Sequence, residues 1–550
     1  MVTSAPILRS LGHRAPLLWI VLPYLAGLAL GKAGVVDSTA LPLGVAGVAA
    51  MATWWARPRS TALWGTLLAS AMIAAGSASY VLHRNRAAAW DALPSREAHL
   101  TLRIDRLFAQ KDARRASGLA TIEGAPAHLP ELAGQHIYFS LTLRAGEMPP
   151  IPGSGVAVIG VIETIPRSPP TDTFAGYLAG AGMNFRLSRG RILAETRPPD
   201  RYRVFCAAAA SRFKAILSAG IGEKRPELAA LLRAMMLGET DELSTEQRTV
   251  FMQSGTMHLF AISGLNIGVI AVALAGLLAL LRLPPWLTLL ASTGLLWLFV
   301  DITGGSPSAV RAFVMAVFLQ AALVLRQPAN VLAALVASAC AVVLVAPLQV
   351  FGASFLMSYT IVLALLLLGL PLGEAWAARW SPFRALPKPT WRWFHHAADL
   401  AWRWLTAALA IGVATSLVSL VTGVQFFRLL TPGALVANLL LVPAAMLVTL
   451  GGFAALLCGL VGFTAGASLC NHAAALVLLG IERAVQTSVQ IPGAFLTARF
   501  DTPWAGTLTL AALAAALLWG YGTGWKQIRG GWLPPFAVVA LALWLGVSFG

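Results

Sequence analysis

Ser254-Gly255-Thr256-Met257-His258-Leu259-Phe260-Ala261-Ile262-Ser263-Gly264-Leu265-Asn266-Ile267-Gly268 opens an apolar run that continues to residue 281. The run is long enough to cross a bilayer, which takes about 20 residues. Yet its first half carries a His, an Asn, two Ser, a Thr and three Gly. Polar side chains and flexible backbone at membrane depth are tolerated only against protein or a water-filled cavity. An ionisable residue there points to function by default, whereas small residues also serve close helix packing. The stretch therefore reads either as packing or as the lining of a path.

Outward from it, the whole chain is apolar: 550 residues, 57% hydrophobic, 11% charged, mean hydropathy +0.73. A soluble chain carries about a quarter charged residues, so an ordinary soluble protein is excluded. The charges are also segregated, with 22 of the 40 basic and 17 of the 23 acidic residues inside 83–250. Apolar runs fall at 16–31, 41–56 and 62–82 before this insert. After it they recur at 256–281, 286–303, 309–326, 330–346, 352–372, 404–424, 433–450, 452–470, 503–520 and 533–549. The expected fold is a polytopic α-helical membrane protein of about 13 spans with one water-exposed insert. The 433–470 region also reads as one broken hairpin, and 373–403 and 476–499 read as amphipathic.

Lys and Arg in short loops set orientation. Arg9, Arg14, Arg57, Arg59, Arg282, Arg326, the 373–403 loop, Lys526 and Arg529 all fall on one side, which the rule makes cytoplasmic. The insert then lies outside, and the net charge of +17 reports orientation before it reports a nucleic-acid partner. Within the insert, Leu100, Leu102 and Ile104 alternate with polar residues, as do Ile137, Phe139, Leu141 and Leu143. Short strands punctuated by Gly predict a small β-barrel or sandwich of the OB-like kind. Four units follow: 1–82 N-terminal transmembrane helices, 83–200 the OB-like β domain, 201–252 an amphipathic helical linker, and 253–550 a second transmembrane domain.

A second polar cluster is Asp301-Ile302-Thr303-Gly304-Gly305-Ser306-Pro307-Ser308-Ala309-Val310-Arg311. Asp301 and Arg311 form a plain ion pair, or a broken helix presents backbone N–H groups and Arg311 to a phosphate. Ser354, Ser358 and Tyr359 share one helix, and Asn438 with Pro443 marks another broken span. His258 and Ser263 are too far out of helical register to act as a hydrolytic pair. The nine histidines lack metal-ligand spacing, and the cysteines Cys206, Cys340, Cys458 and Cys470 are widely separated. There is no P-loop. No metal, no cofactor and no enzymatic activity are expected.

These residues together resemble the ComEC family, the inner-membrane DNA-uptake channel of natural competence. The resemblance rests on Leu237-Gly238-Glu239 and the run from Gly255 to Gly268. It continues through Ser306-Pro307-Ser308 with Arg311-Ala312, then Phe355 to Ser358 and Asn438 to Pro443. Phe174-Ala175-Gly176-Tyr177-Leu178 resembles the end of the family's N-terminal OB-like domain. The resemblance implies passage of one DNA strand into the cytoplasm. Its partners would be a periplasmic DNA receptor, a cytoplasmic helicase-type ATPase, membrane lipid and a separate nuclease. Asn266 stands where many members have His, and no His-x-His-x-Asp-His cluster of the family's C-terminal nuclease domain occurs before Gly550. The chain is thus expected to be channel-only or a truncated member.

For a strand-conducting pore the lining candidates are His258, Ser263, Gly264, Asn266, Asp301, Ser306, Ser308, Arg311, Ser358 and Asn438. In the insert, Phe108, Lys111, Arg114, Arg115 and Tyr138 are candidate contacts to single-stranded DNA, since aromatic platforms and basic grooves serve that purpose. The same aromatics also read as barrel core. Competing readings are a transporter of a small anionic metabolite or lipid, and an anchor for a separate nuclease or pilus component.

Overall fold

A computed structural model describes the chain apart from residues 1–13, 35–37, 57–59, 85, 87–89, 91–92, 109, 111, 113, 127, 168, 171, 261, 328–329, 384, 526–530 and 550. Lys111 lies outside the described residues. Three helices, α1 (Leu18–Lys32), α2 (Ala40–Ala56) and α3 (Thr61–Arg84), come first. Small residues let α1 and α3 touch backbone to backbone: a side chain at Gly27 would collide with the Ile73 carbonyl, and one at Gly76 with that of Tyr24.

The insert is a closed five-stranded barrel of order β1-β2-β3-β5-β4. Its strands are β1 (Arg96–Phe108), β2 (Arg115–Gly124), β3 (His136–Thr142), β4 (Gly155–Thr164) and β5 (Phe185–Arg197). All pairings are antiparallel except β3 with β5. The expected OB-like insert is therefore present. The alternation read from sequence is the cause: Leu102, Ile104, Ile137, Phe139, Val158 and Leu187 are all fully buried and fill the interior. Burial of each such side chain stabilises the fold by about 1.5–3 kcal/mol, so the barrel holds its own core.

A short helix, α4 (Phe174–Gly180), follows β4. Then come α5 (Arg201–Ser218), α6 (Pro226–Leu237) and α7 (Thr245–Gln253), the last closed by the Ser244/Gln247 capping box. The 201–252 stretch is more than a linker. Phe213, Ile216, Leu217, Leu228, Leu231, Leu232, Met235 and Met236 belong to the largest apolar core, shared with the membrane helices. Composition misleads here because α5 and α6 bury one face while keeping a charged one.

The membrane helices are α8 (Gly264–Leu280), α9 (Pro285–Ile302), α10 (Pro307–Val324), α11 (Val331–Val345), α12 (Ala353–Ala364), α13 (Leu370–Arg379), α14 (Trp393–Thr422), α15 (Ala434–Leu460), α16 (Thr464–Val489), α17 (Ala505–Gly522) and α18 (Leu533–Gly546). Among the described residues nine helical runs are long and apolar enough to span a bilayer, and four more are shorter but apolar. The protein is a multi-pass membrane protein. A π-turn at Leu365–Gly369 carries α12 into α13 without interruption, accommodating Pro371, whose ring clashes with an ordinary α-turn.

Two expectations about helix breaks need correction. Pro443 lies inside the continuous 27-residue α15, and Gly451-Gly452 does not divide it. Neighbouring helices stabilise such a proline within the membrane. The amphipathic 476–499 stretch is mostly the second half of α16.

Contacts sort the helix ends into two faces. Arg203 Nη1 bonds Asp301 Oδ1 at 3.0 Å. Arg428 Nε bonds Asp172 Oδ2 at 2.6 Å. Gly180 of α4 lies against Gly352. Residues 301, 352 and 428 thus share the barrel's side. Asn330 Nδ2 donates to Arg14 O at 2.5 Å, and Arg14 bonds the Tyr521 hydroxyl, so 14, 330 and 521 share another end. These groupings match the alternation deduced from the basic loops. Beside Arg428, a small sheet joins β6 (Leu429–Leu430), β7 (Leu496–Phe500) and β8 (Val547–Phe549).

Candidate functional site: polar clusters at the starts of α8 and α10

The decisive stretch does not start a helix at residue 256. A 3-10 turn covers Met257–Leu259, and α8 begins only at Gly264. Gly255 makes the entry possible: its φ is +72°, and a Cβ there would sit 2.9 Å from both Thr431 Oγ1 and Ala434 Cβ. Ser263 caps α8 by accepting the Asn266 N–H at 3.4 Å. The exposed Gly264 faces Ala312 of α10.

His258 is exposed, with Nδ1 3.1 Å from the Gly255 carbonyl. Asn266, in contrast, is buried. Its amide donates to Met235 O at 3.2 Å and its carbonyl accepts from Thr449 Oγ1 at 3.4 Å. It ties α6, α8 and α15 together as a packing residue rather than a lining one.

The second cluster forms the turn between α9 and α10, with Gly304 and Gly305 at φ +84° and +55°. Positive φ is open to Gly at little cost. Ser306 caps α10 by accepting the Ala309 N–H at 3.2 Å, and Pro307 has no N–H to give. The helix start is therefore largely self-satisfied, so its backbone offers less to an anion than the sequence suggested. Ser308 is half-buried in the first turn. Of the two readings of this cluster, the Asp301–Arg311 pair is not formed: Asp301 bonds Arg203 of α5 instead.

Arg311 is 3% exposed. Its Nη2 donates to Ser354 O and Oγ, each at 2.7 Å. The guanidinium lies 6.0 Å from the Phe355 ring centre and 5.9 Å from that of Tyr359. Tyr359 bonds Ser338, which in turn donates to the Arg311 carbonyl. Nε and Nη1 of Arg311 have no hydrogen-bond partner, and no carboxylate pairs with the guanidinium among the described residues. A buried cation without a counter-ion is expensive. Ser358 is half-buried one turn from Ser354, and Asn438 lies in α15 with its Oδ1 unpartnered.

On the barrel, Phe139 is core, whereas Phe108 and Tyr138 lie outside the barrel interior, half-buried and stacked at 6.2 Å. With Phe174 and Tyr177 of α4 they close a ring of four aromatics: Tyr138–Phe174 is 5.1 Å, Phe174–Tyr177 6.0 Å and Phe108–Tyr177 6.4 Å. Arg106 sits 5.7 Å above Phe108. Burial holds its guanidinium below the usual range, opposed by the Tyr177 hydroxyl. Phe174 and Tyr177 are 51% and 44% exposed. Their i, i+3 spacing, which sets both on one helix face, was the signal available in sequence. Arg114 and Arg115 are exposed, and Arg115 pairs with Asp112 at 3.6 Å. Neither joins the aromatic patch in a recorded contact.

A family profile described as "Competence protein" matches residues 235–522, which is more than half of the chain. The chain belongs to the competence protein family. The sequence-based resemblance to the ComEC family is thereby met. The chain is also similar to "ComE operon protein 3" of Bacillus subtilis (strain 168), 26% identical over 142 residues. That alignment covers 26% of this chain and 18% of the relative, so less than a fifth of that protein's length is matched. No solved structure matches. The family match takes in both polar clusters, from Met235 to the end of α17, and leaves the barrel outside it.

Proposed function

We propose that this protein is the channel that carries single-stranded DNA across the inner membrane during natural transformation. The observation that carries the reading is Arg311. A buried guanidinium with two idle donors and, among the described residues, no counter-ion gains most from an anion, and phosphate accepts such donors well. The aromatic ring of four on the barrel supports the same ligand, because bases stack on aromatic faces whatever their sequence. Family membership and the ComE operon relative agree with DNA uptake.

In this reading the N-terminus is cytoplasmic and the barrel periplasmic. A periplasmic receptor delivers the strand, a helicase-type ATPase pulls from the cytoplasm, a separate nuclease removes the other strand, and lipid surrounds the helices. The protein is a conduit and not an enzyme. The test follows labelled donor DNA in a deletion strain carrying either the wild-type or the Arg311→Ala chain. Arrival in the periplasm is scored apart from arrival in the cytoplasm. DNA halted in the periplasm in the deletion strain, restored by wild type and not by Arg311→Ala at equal membrane levels, is the expected result. Unchanged cytoplasmic arrival after deletion would reject DNA import in favour of a small-anion transporter.

A further inference from the structure

The α5–α6 pair carries charge into a place where hydrocarbon would not accept it. Arg203, near the start of α5, bonds Asp301 on the barrel side. The far end of α5 reaches the last turn of α15, where Gly459 has no space for a side chain against Ile216. Asn471 Nδ2 of α16 donates to Ile216 O at 2.7 Å and Ala219 O at 3.0 Å. Gly220, just beyond, touches Ser468 and His472. The helix α15 starts beside Gly255 on the barrel side and ends about 40 Å away at the helical rise per residue. So α5 descends alongside two membrane-spanning helices to their remote end.

One face of this pair is packed in the main core. Another bears two ion pairs: Lys214 Nζ to Glu239 Oε1 at 2.7 Å, and Arg233 Nε to Glu242 Oε2 at 2.7 Å. These side chains are partly exposed, by 42% and 20% in the first pair and 17% and 34% in the second. Partly open charges at the level of the spans face water or protein, not lipid. In addition, α5 has four basic residues (Arg201, Arg203, Arg212 and Lys214) and no acidic one, a bias complementary to a polyanion.

We infer that the charged face of α5 and α6 is the water-filled wall of the strand path. This rests on the reading of the protein as a strand channel. The paired carboxylates fit transit: conduction needs binding strong enough for entry and weak enough for release. Glu239 and Glu242 keep Lys214 and Arg233 from gripping phosphates.

The test uses the full-length chain with Cys206, Cys340, Cys458 and Cys470 replaced by alanine and single cysteines introduced by Ser218→Cys or Glu242→Cys. Leu469→Cys, on the outward face of α16, is the control. Membranes are treated with a charged, membrane-impermeant methanethiosulfonate or with lipid-soluble N-ethylmaleimide. The expected result is that the two wall cysteines react with the impermeant reagent and Leu469→Cys reacts only with the lipid-soluble one. Modification at the wall should then lower strand import at least tenfold. Reaction of both wall cysteines with the lipid-soluble reagent alone overturns the inference. So does full labelling with import unchanged, which leaves the channel reading intact. If no unmodified variant imports DNA while the wild type also fails, the channel reading itself falls, and labelling still reports whether the wall is wet.

Discussion

Replacing Arg311 by methionine should weaken transport without weakening the fold. The guanidinium makes two bonds of 2.7 Å to Ser354 and stacks near Phe355 and Tyr359, yet among the described residues it has no counter-ion and leaves two nitrogens unpaired. Each charge-assisted bond contributes about 1.5–3 kcal/mol, and burying the uncompensated charge costs several kcal/mol in the opposite direction. The two nearly cancel, and an apolar side chain of similar length keeps the packing. Arg311→Met should therefore change stability by less than about 1 kcal/mol, with either sign. A phosphate engaged by the idle donors is worth one charge-assisted contact, so its loss should slow strand arrival by a factor of about 10–100. Arg311→Lys keeps the charge but loses the fork and should fall between. Thermal unfolding in detergent and the rate of label arrival in the cytoplasm are measured on the same preparations. A several-kcal/mol loss of stability, with import falling only as protein level falls, would show that Arg311 is a structural strut and refute the reasoning.

Asn266→Ala should destabilise by about 1–3 kcal/mol, because the Met235 carbonyl and the Thr449 hydroxyl lose a buried partner. Its unfolding temperature should drop while import per folded molecule stays constant. Phe174→Ala with Tyr177→Ala should reduce retention of single-stranded oligonucleotide by the purified protein by about 1–3 kcal/mol per lost stack. Circular dichroism of the barrel should be unaltered, since its core is Phe139, Phe185 and their aliphatic neighbours. Gly255→Ala meets both a positive φ and contacts of 2.9 Å. Melting experiments should show a loss of about 2 kcal/mol or more, with a smaller loss at Gly268→Ala, where nothing lies within 4 Å.

Several features were legible without coordinates because they depend on local pattern. Alternation at 100–104 and 137–143 sets barrel strands, since side chains two apart share a face. Segregation of charge into 83–250 marks the barrel, although the 201–250 part of that segment packs against the membrane helices. Gly304-Gly305-Ser306-Pro307 ends one helix and starts the next through glycine conformations and a serine cap. Other features were illegible for the same physical reason. Pro443 reads as a break, and only the packing around α15 shows that the helix continues. Asp301 and Arg311 are the sole charges between Arg282 and Arg326, so pairing them is natural; yet Arg203, 98 residues upstream of Asp301, takes the carboxylate.

Hydropathy and alternation along the chain suffice to place it in a membrane, to interrupt its helices with a small β-barrel, and to gather polar groups at 254–268 and 301–311. Each follows from hydropathy and periodicity, which are properties of neighbours along the chain. Which polar groups are idle follows from long-range packing. That packing binds Asn266 among three helices, self-caps the start of α10, leaves Arg311 without a counter-ion among the described residues, and lays the charged α5–α6 face along the membrane helices. Those outcomes depend on which surfaces meet across hundreds of residues, and burial converts a charge from an ordinary surface feature into one that needs a partner.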